Sequence, residues 1–462
     1  MSSFATGTYA DVSSSNRLVS QSQTDESSRS VAASLSWIER IALLIGIVEI
    51  PLQLDKVVGF REEHAEYGAV AGLNVSMTSL ALIVLYGLWL IDFGMHRPRL
   101  LNRPLLGRPM IIYISLVFLS ILSASVRFLS LCDCFLLVQA YLLFFYLANR
   151  LQTYSDIVFG VFALASTLVI QSMLIFFAAA LGLDETEFSL GPLLLTVDEG
   201  KRHAGTMHSP VLAGSTLALI WLPVAASVLY LKHKWVWRYT LLATVTGLLA
   251  ILMTQTRGAI LTSAVGCAMI GCGMYFRGWL PKWIIPASLA LCLLSLYPLY
   301  IVYEKRVQDG DGESAIARKH LSLIAIEMIS KRPILGYGAG NCHLAGKAIA
   351  DQSIYRSEWY YTIHSKYLLT WIETGIFGLI AFLAILINGF SQGISVWRKR
   401  VTALSTLGLS LSAALAGHSL HMAVDVFNSR TQVQMLWCVL GITAAVYKLP
   451  KCDALGGGHH VA

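Results

Sequence analysis

Charged side chains are scarce in this chain: Asp, Glu, Lys and Arg make up only 13% of its 462 residues. Soluble globular domains carry about a quarter, so a water-exposed fold is excluded. Nucleic acid is excluded as a partner too, because the net charge of +7 is accounted for by one membrane face and its anionic lipid. Paired cysteines are also missing. None of the eight cysteines forms a Cys-x-x-Cys motif, which removes the usual zinc and redox frameworks. Cys267, Cys272, Cys292 and Cys438 lie inside apolar runs, and Cys342 is the only cysteine of the long polar segment at 304–363, so no disulfide closes within it. No period of about 20 to 50 residues repeats; this excludes a solenoid and gives no support to an inverted-repeat transporter. The first 36 residues are rich in Ser and Thr, poor in aromatics and without an apolar core. They read as a disordered cytoplasmic tail and not as a cleavable secretion signal.

What the chain has is apolar length. Hydrophobic residues make up 56% and the mean hydropathy is +0.63. Stretches of about 17 to 25 apolar residues, enough to cross the hydrocarbon core as helix, recur about twelve times. The fold expected is an all-α polytopic integral membrane protein of about 12 transmembrane helices with one large, partly helical loop. Its organisation is a cytoplasmic tail (1–36), nine spans (37–303, the first holding Glu49 and Pro51), the loop (304–363), three further spans (364–448) and a second tail (449–462). With the amino terminus inside, the inner segments hold about 18 Lys and Arg against about 7 in the short outer loops. The long loop adds about 8 outside, but loops of that length translocate regardless of charge. Both termini are therefore expected in the cytoplasm and the long loop outside.

Unusual chemistry gathers on that outer face. The loop after the fifth span contains RHAGTMHSP (202–210), the seventh span ends in TQTRGAIL (254–261), the long loop carries Arg318, and the chain re-enters the membrane at HSKYLLTWIETGIFG (364–378). Arg202, Arg257 and Arg318 with His364 suit an anion pocket with a base beside it. Arg257 sits in a short link between two spans, where its planar fork suits a lipid phosphate, though a snorkelling interfacial arginine explains the position as well. Arg318 lies in a segment whose Leu321, Ile324 and Met328 recur at helical spacing, which predicts a basic amphipathic helix on the outer membrane surface; a headgroup-binding face is the plainer alternative. The helix is expected to stop at Pro333, with LGYGAGN a glycine turn toward the membrane. That turn lacks the strand and helix of a dinucleotide site, and DGDGES (309–314) lacks the glutamate of a calcium loop, having His320 there. Glu373, inside the tenth span, must be paired, protonated or exposed to a cavity, and suits the orientation of an arginine. His203 and His208, and His418, His421 and Asp425, either extend the site or are satisfied structural groups.

The ordered set TQTRGAIL, KRPILGYGAGN and HSKYLLTWIETGIFG resembles the signature of the O-antigen ligase and Wzy-type polymerase family, over roughly 202–378. The resemblance maps the family's arginine after a seventh span, arginine in a large periplasmic loop and histidine opening the next span onto Arg257, Arg318 and His364. It implies transfer of a glycan from an undecaprenyl diphosphate carrier to a hydroxyl on a lipid or glycan acceptor, at the periplasmic face of a bacterial inner membrane, without metal or cofactor. The implied roles are catalysis for His364, Arg257 and Arg318 and substrate binding for Arg202, His208, Glu373 and Asp425. Family members usually have Asn after the histidine; here it is Ser365. Two other classes remain open, a transporter or flippase for lipid-linked sugars and a membrane scaffold.

Overall fold

In a computed structural model, the residues described are 35–61, 72–95, 107–183, 187–198, 202–231, 233–279, 281, 283, 311–350, 362–399 and 403–449. Their helices are α1 (Trp37–Leu52), α2 (Met77–Met95), α3 (Gly107–Ser120), α4 (Arg127–Arg150), α5 (Tyr154–Ala180), α6 (Pro210–Ser227), α7 (Lys234–Met253), α8 (Arg257–Phe276), α9 (Asp311–Lys331), α10 (Cys342–Ala350), α11 (Lys366–Lys399), α12 (Ala403–His421) and α13 (Arg430–Lys448). Two small antiparallel sheets sit in the links: β1 (Asp55–Val58) with β2 (Leu73–Ser76), and β3 (Glu187–Leu190), β4 (Leu193–Asp198) and β5 (Arg202–Gly205) in that order.

Eight of these helices, α2, α4 to α8, α11 and α12, are long and apolar enough to cross a membrane. Eleven of the twelve expected spans coincide with a helix, and the ninth (283–303) lies, but for its first residue, outside the described residues. Three of the eleven fall short as independent spans. Helix α1 has 16 residues and α3 has 14, giving about 24 and 21 Å against a hydrocarbon core of about 30 Å. Helix α13 is long enough but opens with Arg430, Gln432 and Gln434, all buried in protein.

Burial orders the bundle. In α6 and α12 83% and 78% of the apolar window is buried, whereas in α2, α7 and α8 the share is 22 to 28%. The first two form the centre; the others turn residues such as Ile83, Leu90 and Phe276 outward, as a lipid-facing surface requires. Aromatic packing joins the amino- and carboxy-terminal halves, with Phe144 of α4 edge-on to Trp437 of α13.

Two buried arginines are paired with carboxylates, as desolvation demands. At one face Arg150 meets Glu39 at 2.6 Å and Asp92 at 3.0 Å, and Tyr146 also donates to Glu39. At the other, Arg430 meets Glu49 at 2.9 Å and Asp55 at 3.2 Å. Glu49 is thus a buried partner for the start of α13, and its other oxygen accepts from the Thr78 N–H and hydroxyl.

Helix α11 is broken. Its 34 residues would extend about 51 Å if continuous, but Gly375 has φ 73° and ψ −178°. The chain at 333–338 fills the break: the N–H groups of Tyr337 and Gly338 donate to the carbonyls of Ile372 and Glu373 at 2.8 and 2.9 Å, and Ile376 N–H donates to Pro333 O at 2.9 Å. Three of the backbone groups freed by the break, Ile372 O, Glu373 O and Ile376 N–H, are thereby satisfied. A Cβ on residue 375 would run into the Ile334 carbonyl, so this close approach needs glycine. The glycine turn expected at 335–341 is present, with Gly336, Gly338 and Gly340 all at positive φ.

Helix α9 ends at Lys331, just before Pro333. Its predicted apolar face has a different partner from the one expected. Leu321, Ile324 and Met328 are buried against Ile363, Leu369 and Ile372 at the start of α11, so protein and not lipid covers them. Leu323 and Ile326 remain exposed.

Candidate functional site

The links at one end of the bundle supply the site. Ser365 starts α11: its carbonyl accepts from Leu369 N–H at 2.9 Å and its hydroxyl lies 3.5 Å from Leu368 N–H. A short side chain that caps a helix is well placed there, which gives the serine that departs from the family pattern a local structural role. His364 immediately precedes this cap and is partly buried.

Around His364 stand Asp425 from the α12–α13 link and Arg318 from α9. Burial depresses the His364 pKa below its ordinary value and the positive charge of Arg318 adds to this, while the Asp425 carboxylate and a hydrogen bond to the Thr362 backbone oppose it. The imidazole is thus biased toward its neutral, proton-accepting form. Burial pushes the Asp425 carboxyl up, but hydrogen bonds from His421 and from Val426 N–H, together with the charges of His421 and His364, hold it below the usual range. His421 Nε2 lies 3.6 Å from Asp425 Oδ2.

Arg257 reaches this group through its neighbour. It is the first residue of α8 and is exposed. The next residue, Gly258, has the His421 imidazole directly over it, with no room for a side chain between them. Arg202 of β5 joins the same link, its Nε lying 3.4 Å from Thr254 O and its Nη1 3.7 Å from Asp198. His421, Asp425, His364 and Arg318 therefore lie together, beside the start of α8 that carries Arg257, with Arg202 against the adjoining link.

Two expected site residues lie apart from it. His208 is exposed at the start of α6 and faces Asp55, next to the Arg430–Glu49 pair. Glu373 lies deeper, in a crevice with Asp133 of α4 and Lys366 of α11. Its Oε1 accepts from Gly340 N–H at 3.0 Å. The cation facing it is Lys366, where the sequence suggested an arginine.

Backbone strain marks the same end. Among the described residues, the four non-glycine residues with positive φ are Gln53, His208, Gln255 and Phe427. Each lies in a link on this face, and strain concentrated in this way is a recurrent mark of functional sites.

Residues 242–383 match the family model described as O-antigen ligase. The matched stretch forms a domain similar to O-antigen ligases. This domain runs from α7 into α11 and contains Arg257, Arg318, His364 and Glu373; Arg202, His208 and Asp425 lie outside it. No curated protein matches the chain. The domain and the apolar helices together make this a multi-pass membrane protein and support membrane glycosyltransferase activity of the ligase or polymerase type.

Sequence reasoning passed over Asp133 and Lys366. Asp133 had a usable signal, being a carboxylate within an apolar span. Lys366 had none, because a lysine at a span's edge is commonplace. His421 stood among the candidate histidines, but its placement over Gly258 depends on how α12 crosses α8.

Proposed function

We propose that this protein transfers a glycan from an undecaprenyl diphosphate-linked donor to a hydroxyl acceptor on the periplasmic face of the bacterial inner membrane. The observation that carries this reading is the joining of His364, Asp425 and Arg318 with the start of α8, where Arg257 lies. The acceptor hydroxyl gives its proton to the neutral His364 imidazole as its oxygen bonds to the anomeric carbon. The bond from that carbon to the diphosphate breaks, and its electron pair leaves on the diphosphate. Arg257 and Arg318, with Arg202 at the edge, bind the diphosphate and stabilise the charge it gains. Asp425 supports the imidazole as it becomes cationic. A single displacement inverts the anomeric centre, and neither metal nor nucleotide is needed, because the donor arrives already activated. His208 and Glu373 take part in substrate binding less directly, from the flank and from the crevice below.

Ligation to a lipid core is favoured slightly over polymerisation of carrier-linked repeats. The chain-length ladder of surface glycan in a strain lacking the protein separates them: ladders absent from the acceptor indicate ligation, and single repeats on it indicate polymerisation. His364→Ala, inserted at normal abundance, is expected to lose transfer while keeping carrier binding. Unchanged glycan product in that variant would rule out the base assignment.

A second reading has one structural observation in its favour. Asp133, Lys366 and Glu373 are charges deep in the bundle beside a broken helix, features common in transporters and flippases of lipid-linked sugars. Movement of carrier-linked glycan across vesicles by the His364→Ala variant at the wild-type rate, with no transfer by wild type, would favour it.

A further inference from the structure

Helix α11 begins with a lysine that the proposed chemistry does not use. Lys366 is buried, although it lies only two residues after His364. Its N–H is shared between Met422 O at 2.9 Å and Asp425 O at 3.0 Å, and its Nζ donates to Asn428 Oδ1 at 3.2 Å. The main chain at 366 thus makes two ties to the link that holds Asp425, and the lysine side chain adds one of its own. The adjacent Tyr367 ties α11 to the last turn of α12, its hydroxyl donating to Ser419 O at 2.7 Å.

The ammonium also has a counter-charge. Asp133 and Glu373, both buried, line the crevice with Lys366 and Asn428. The titratable groups facing Lys366 are Asp133 from α4 and Glu373 from its own helix, and Tyr113 from α3 stands beside both carboxyls. Glu373 in turn holds Gly340 N–H, so the segment that fills the α11 break is anchored to the same cluster. A buried ammonium with two carboxyls and an amide oxygen around it is held far more rigidly than a solvated lysine.

We propose that Lys366 is a positioning residue for His364: by holding the start of α11 to Asn428 of the 422–428 link, with its charge facing Asp133 of α4, it fixes the separation between the imidazole and Asp425. This rests on the reading of His364 as the base. The cost of leaving Asp133 and Glu373 without a cation explains why a lysine, and not a smaller polar residue, occupies the position.

The test uses full-length protein with two readouts. One is glycan transfer in cells lacking the native copy, at matched abundance. The other is the titration of the His364 imidazole, followed by nuclear magnetic resonance in lipid nanodiscs and assigned by its absence in His364→Ala. Lys366→Met is expected to lower transfer about tenfold or more and to displace the His364 titration, since Asp425 and Arg318 are the charges that face it. If Lys366→Met inserts poorly, the pair Lys366→Met with Asp133→Asn removes the unbalanced charge; restored abundance with transfer still low and the titration still displaced supports positioning. Wild-type transfer or an undisplaced His364 titration in the abundant variant overturns it. Full transfer by His364→Ala would remove the base reading alone, and a displaced titration in Lys366→Met would then still support the link from Lys366 to His364.

Discussion

His421 lies directly over Gly258, its imidazole filling the space that a Cβ on residue 258 would need. This contact ties the start of α8, and Arg257 with it, to the histidine that holds Asp425. A Gly258→Ala exchange forces overpacking of about 1–3 kcal/mol at a tight site, while gaining up to about 1 kcal/mol of helix propensity. We expect the protein to insert normally and glycan transfer to drop at least about tenfold. The comparison to make is surface glycan per molecule of membrane protein; no drop would mean that His421 need not sit there.

Arg257 is exposed at the mouth of α8, so its replacement leaves the core intact. Arg257→Lys keeps the charge and loses the planar fork. Hydrogen bonds between charged groups are worth about 1.5–3 kcal/mol, so weakening one of them should reduce transfer about ten- to a hundredfold. Direct measurement of carrier binding should show the loss there as well, with wild-type affinity counting against phosphate recognition.

The pH dependence follows from His364. Its ionisation is depressed, and the neutral form is the base, so transfer should persist through a pH of about 6.5, the ordinary histidine value, and fall only as pH drops further, through the depressed value. Asp425 opposes the depression. In Asp425→Asn the acidic limb should therefore move to lower pH while the maximal rate decreases. The same sign governs folding: the unfolded chain binds the proton more readily, so the contribution of His364 to stability is present above its unfolded value and lost as pH falls through the folded one. A pH–rate profile for both proteins checks this, and a limb that stays fixed or moves upward contradicts it.

Arg430 counters two carboxylates, Glu49 and Asp55, inside the protein. Removing one partner of a buried pair typically costs about 3–5 kcal/mol. Arg430→Met should give little folded protein, and adding Glu49→Gln should recover part of it. Thermal unfolding in detergent is the measurement; equal midpoints for the single and double variants would deny the coupling.

The sequence showed the candidate site unevenly, for physical reasons. His364 stood out as an ionisable residue opening an apolar run, Arg257 by its place in a short link between two spans, and Arg318 by the ordered motifs that resemble the O-antigen ligase family. Helix α9 was legible as a helix, since the spacing of Leu321, Ile324 and Met328 is a local property. What covers that face was not legible, because protein and lipid are equally apolar partners. The break at Gly375 was equally hidden: a glycine within a span is common, and only the docking of 333–338 gives it a purpose.

Taken alone, the amino-acid order determined that the chain is built largely of apolar helices, eight of them among the described residues of membrane-crossing length, and roughly where these lie. These follow from the cost of placing polar groups in hydrocarbon, and that cost is paid locally. Only the tertiary structure decided that Lys366, Asp133 and Glu373 share one crevice, that Arg430 closes on Glu49, and that His421 sits between Gly258 and Asp425. Such contacts join residues as far as 381 positions apart, and they depend on how helices cross, which no short window of sequence encodes.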